Sequence, residues 1–177
     1  MPRVFTALAV LLLLAGCQTA TPNTAPLIPT LPPVALTDLS IVTGQTVFVP
    51  AYAEIFYGSD DDTLPLTTTL AIHNADPRHT IVVSSIRYYD TDGTLVREYV
   101  ETPIELKPMA TTAIVVEPPT TSGGWGTNFL VEWGAETPVY APVIEAVMVS
   151  RQGTEGVSFI SEGRVHDGNH ALRSARL

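Results

Sequence analysis

The chain has 177 residues, one cysteine, a charged fraction of only 15 % and a formal charge of −9. A single cysteine excludes an internal disulfide, and so acidic a surface repels phosphate backbones, which argues against a nucleic-acid partner. The low charge content and the frequent valine, threonine and isoleucine point to a β-rich domain.

Arg3 followed by the apolar run 4–15 has the form of a secretory signal. About twelve residues are too few to cross a hydrocarbon core, which takes roughly 20, so the run reads as a signal and not as a membrane span. It ends in Leu14-Ala15-Gly16-Cys17, small residues directly before a cysteine, which resembles a bacterial lipobox. Residues 1–16 are therefore expected to be removed, and Cys17 to carry acyl chains such as palmitate and hold the protein on the membrane. No free thiol then remains for redox or nucleophilic chemistry. Gln18 stands where an aspartate is typical of inner-membrane retention, which points to the outer membrane with the domain facing the periplasm.

Residues 17–40 form a Pro/Thr-rich linker with Pro22, Pro26, Pro29, Pro32 and Pro33. Proline at that density favours polyproline II, so about twenty residues hold the domain on the order of 60 Å from the bilayer as a semi-rigid stalk. The globular domain is expected over 41–165, with a fraying tail over 166–177.

Within the domain, 46–52 is a β-type run whose Pro50 suits an edge or bulge. Tyr57-Gly58-Ser59-Asp60-Asp61-Asp62 reads as a loop of solvated charge. Residues 66–73 alternate, with Leu66, Thr68, Leu70 and Ile72 on one face and His73 on the other, pointing to solvent. Asn74-Ala75-Asp76-Pro77 supplies a turn, and 81–89 is the next strand. Asp92-Gly93 predicts a two-residue type I′ hairpin in which Arg87 faces Glu98, Ile86 faces Tyr99 and Tyr89 faces Val96. Further strands follow at 112–116, at 128–133 with Phe129, Val131 and Trp133 sharing a face, at 143–150 and at 157–165. About eight such runs without a useful helical period predict an antiparallel, immunoglobulin-like β-sandwich, with barrel closure as the alternative.

Several segments together resemble a bacterial lipoprotein family, domain of unknown function 3124. They are Val49-Pro50-Ala51-Tyr52, Ile72-His73-Asn74-Ala75-Asp76-Pro77, Arg87-Tyr88-Tyr89-Asp90-Thr91-Asp92-Gly93, Thr121-Ser122-Gly123-Gly124 with Asn128-Phe129, and Ile144-Glu145-Ala146-Val147-Met148. The resemblance spans about 47–165 and implies no activity, cofactor or site residue. Trp125 departs from it, standing where a small or polar residue is expected between the glycines.

The chain lacks the marks of catalysis. There is no G-x-S-x-G elbow, and Ser122 precedes two glycines, which makes a flexible loop. His73 and His79 flank a turn containing Asp76, and His166 and His170 have an i, i+4 spacing around Asp167, so either pair is the alternative reading as a zinc or copper site. Asp90, Asp92 and Glu101 match three positions of a calcium loop, but Leu95 stands where the sharp turn needs glycine. No cofactor is expected. What remains is Ser122, Gly124 and Trp125 in a glycine-rich loop. The tryptophan either anchors a partner or, as the leading reading, folds back to plug one end of the sandwich with its indole N–H on a loop carbonyl. The sequence therefore predicts a non-enzymatic, lipid-anchored envelope module that binds or scaffolds another envelope protein.

Overall fold

The computed structural model describes residues 31–117, 124–152 and 155–168. Cys17 with its signal, the linker up to residue 30, Ser122, His170 and the tail from 169 lie outside these residues.

The domain consists of antiparallel sheets packed face to face. The larger sheet runs β12 (Arg164–Gly168), β1 (Thr43–Pro50), β9 (Asn128–Ala135), β5 (Ile81–Tyr89) and β6 (Leu95–Glu98), with β7 (Ile104–Leu106) also paired to β5. The smaller sheet runs β11 (Glu155–Glu162), β10 (Val143–Gln152), β4 (Thr67–His73) and β8 (Thr111–Val116). A separate hairpin is formed by β2 (Glu54–Tyr57) and β3 (Ser59–Pro65). The described residues thus hold twelve strands where about eight are predicted from the sequence.

Alternation builds the core. On β4 the expected face is buried, with Leu70 and Ile72 at 0 % and 1 % exposure, opposite Phe129, Val131 and Trp133 of β9. Burying three such aromatic and aliphatic side chains of one strand contributes several kcal/mol, at about 1.5–3 kcal/mol each. Thr68 shares the buried face because its hydroxyl donates to the Tyr52 carbonyl at 3.1 Å. After β11 the chain turns at Gly163, whose N–H bonds Ile144 O at 2.8 Å, and crosses to the larger sheet as β12. One side of the sandwich is closed by this corner, which breaks the run predicted as a single strand over 157–165.

Four expectations need correction. The three aspartates read as a loop lie within the range of strand β3, which starts directly after the turn at Gly58, but the ladder passes over them, pairing Tyr57 with Ser59 and Phe56 with Thr63. The hairpin after β5 is not type I′, which needs positive φ at both central residues, since only Gly93 has one (φ 80°). The Asp90 carboxylate accepts the N–H groups of Asp92 and Thr94, and this side-chain turn lengthens the loop by one residue, so Tyr89 faces Leu95 and not Val96. Arg87 and Ile86 do face Glu98 and Tyr99 as expected, although the Arg87 guanidinium bonds Glu132 directly and is 4.0 Å from Glu98. The last strand continues to Gly168 alongside β1, so His166 lies in a strand and not in a frayed tail.

The end of the linker is part of the domain. Pro32 O accepts from Glu105 N at 3.2 Å, Val34 N donates to Pro103 O at 2.8 Å, and Leu31 packs on the core. Prolines cannot donate, but their carbonyls accept normally, so this stretch extends the β7 edge before a 3-10 turn at Leu36–Asp38.

Candidate functional site

The loop entering β9 sits on the tip of the β5–β6 hairpin. Gly126 N–H donates to Thr91 Oγ1 at 3.0 Å, and Gly124 has φ 68°. A Cβ at Gly124 would lie 2.5 Å from the same hydroxyl, so both backbone conformation and space require glycine there. Between these two glycines stands Trp125.

Trp125 is not the end plug that leads the sequence reading. It is 49 % exposed, and its ring faces Phe56 of β2 with centroids 6.2 Å apart and planes at 52°. Phe56 is itself 56 % exposed and Tyr57 beside it 62 %. The end of the sandwich is closed instead by Tyr88 and Phe129 beneath, with centroids 4.8 Å apart and both rings buried. Two large rings, Trp125 and Phe56, are therefore held at the surface by a loop and a strand, a tilted platform suited to stacking or burying an apolar group of a partner. The sequence argument missed Phe56; two adjacent aromatics directly before a turn glycine were the available signal.

At the other end of β9 the polar residues have a structural task. Asn74 is 2 % exposed, and its Nδ2 donates to the carbonyls of His79 at 2.8 Å, Leu106 at 3.0 Å and Lys107 at 3.0 Å, while its Oδ1 accepts from Asp76 N at 3.0 Å. Asp76 Oδ1 accepts the N–H groups of Arg78 and His79, both at 2.8 Å, and Oδ2 accepts from Tyr140 N at 3.2 Å. The Arg78 N–H foremost, then those of His79 and Tyr140 and the His79 ring, outweigh partial desolvation and lower the Asp76 pKa from 3.8 to about 2. Asn74 and Asp76 thus fasten the turn after β4 to the segment after β7 and to the chain at Tyr140.

The described histidines, His73, His79 and His166, have separate surroundings, and His170 lies outside the described residues. His73 Nδ1 meets Thr111 Oγ1 at 2.8 Å and its Nε2 lies 3.9 Å from Glu145, whereas His79 Nδ1 bonds Asp76 Oδ1 at 3.0 Å. His166 is exposed on β12. Among the described residues no three histidine, cysteine, aspartate or glutamate side chains are grouped to hold a metal ion. No described helix is long and apolar enough to cross a membrane.

Fold and surface together define an all-β, antiparallel two-sheet domain with an aromatic platform at one end. The profile of the family described as "Protein of unknown function (DUF3124)" matches residues 44–166, and the chain belongs to that family. A search of curated proteins finds no match. One solved structure, described as "Crystal Structure of Thermotoga maritima 1070", is similar with a TM-score of 0.45 and 14 % identity, over 71 % of this chain and 97 % of the other.

Proposed function

We propose that this protein is a non-enzymatic, lipid-anchored module of the cell envelope that binds or scaffolds another envelope component through the platform of Trp125 and Phe56. The observation that supports it is an indole held half-exposed by a glycine-flanked loop whose conformation Thr91 fixes. An exposed tryptophan on a rigid support costs little conformational entropy when it is buried against a partner. The lipobox at Cys17 supports the tether, and Gln18 directly after it supports sorting to the outer membrane, with the module facing the periplasm.

Two experiments test it. Membrane fractionation should find the wild-type chain in the outer membrane and Cys17→Ser released or unprocessed; inner-membrane residence would overturn the sorting, and an unchanged Cys17→Ser would overturn the anchor. Affinity purification from detergent-solubilised envelopes should recover a component with the wild type that Trp125→Ala and Phe56→Ala both lose. Identical recovery with both variants would remove the platform from the account.

A further inference from the structure

The end of the sandwich opposite the platform carries a cleft of about 340 Å3, between Leu39 at the end of the linker, the turn at Arg78 and His79, Glu105 of β7 and Glu136 just after β9. Leu39 and Val82 give it aliphatic surface, and the other four give it charge and polarity. Opposite charges in one cleft ordinarily neutralise each other. Here neither the Arg78 guanidinium nor the Glu105 carboxylate makes an ion pair among the described residues. Glu136 accepts one hydrogen bond through Oε1, from Ser40 N at 2.9 Å, and its second oxygen remains for another donor.

His79 is oriented by the buried Asp76 carboxylate at 3.0 Å. An ionised carboxylate only accepts, so Nδ1 carries the proton, and Nε2 of the neutral ring is an acceptor. The cleft therefore offers one planar cationic fork, suited to a carboxylate, and several acceptors suited to an ammonium group. Its volume lies at the small end of the roughly 300–1,000 Å3 typical of ligand sites.

We propose that this cleft binds a small zwitterion of amino-acid or dipeptide size, its carboxylate on Arg78, its ammonium on Glu105 and Glu136, and an aliphatic side chain against Leu39 and Val82. The proposal is independent of the platform, which lies at the far end of β9.

The test is calorimetric titration of the full chain with L-leucylglycine, its N-acetyl derivative and its C-terminal amide. Saturable binding of the free dipeptide is expected with Kd of about a millimolar or tighter, and each blocked form should bind about tenfold more weakly through loss of one charge-assisted contact. Arg78→Gln should remove the discrimination against the amide, and Glu105→Gln that against the acetylated form. Melting temperatures equal to wild type establish that both variants are folded, and Trp125→Ala should bind as wild type. No binding at about 20 mM dipeptide, far above that expected Kd, equal affinity for the blocked forms, or folded Arg78→Gln and Glu105→Gln variants that discriminate as the wild type does would each overturn the assignment.

Discussion

The two ends of β9, about 25 Å apart at the usual rise of a strand, are built on opposite principles. At the Ala135 end, buried Asn74 and Asp76 spend their polar atoms on backbone groups of three separate segments. At the Asn128 end, apolar rings that would suit a core are left half-exposed, Phe56 on β2 and Trp125 on a loop held by the Thr91 hydroxyl and by Ala51 N–H on the Thr127 carbonyl. Buried polar groups that satisfy the backbone act on stability, because their loss strands other buried groups. Exposed rings on a fixed support have little to contribute to folding, and their value lies in what they meet. The same contrast separates Asn74 and Asp76, which hold this protein together, from the rings proposed to meet a partner.

Substitutions sharpen that contrast. The largest effect is expected from Asn74→Ala, which removes a donor from the His79, Leu106 and Lys107 carbonyls, the last of which keeps Ala110 N, and takes the acceptor from the Asp76 N–H; about 3 kcal/mol should be lost, read as a lower urea midpoint at unchanged slope. Gly124→Ala forces a Cβ into a left-handed position against Thr91 and should cost about 1–2 kcal/mol, with Trp125 fluorescence shifting as the loop moves. The pH dependence that Asp76 contributes is confined to acid. Its carboxyl titrates near 3.8 when unfolded and at about 2 when folded, so its contribution is complete above the higher value and is lost as pH falls through the lower one. Melting temperature followed over that window should drop less steeply for Asp76→Asn than for the wild type. Smallest of all, Trp125→Ala and Phe56→Ala should each change stability by less than about 0.5 kcal/mol. A loss of several kcal/mol from either would make the platform a structural plug after all.

Much of the fold is legible in the sequence because it depends on local alternation. The buried faces of 67–73 and of Phe129, Val131 and Trp133, and the pairing of Arg87 with Glu98, follow from period two and one turn signal. What escapes is set by partners distant in the chain. Trp125 reads as a plug until Phe56 is placed beside it, 69 positions earlier in the chain, and the Asn74–Asp76 pair reads as an ordinary turn because its acceptors and donors come from residues 106, 107 and 140. Linker prolines suggest a free stalk, yet Pro32 uses its carbonyl to join the β7 edge.

The central claim is that the aromatic end, and not the polar end, meets a partner. In-cell crosslinking from a photoreactive residue at position 125, compared with one at position 140, tests it most directly. Tyr140 is 67 % exposed and lies at the polar end, so solvent access alone does not favour position 125. The account predicts a discrete adduct from 125 that is absent from 140 and disappears in Phe56→Ala. Equal adducts from both positions, or none from 125, would contradict it.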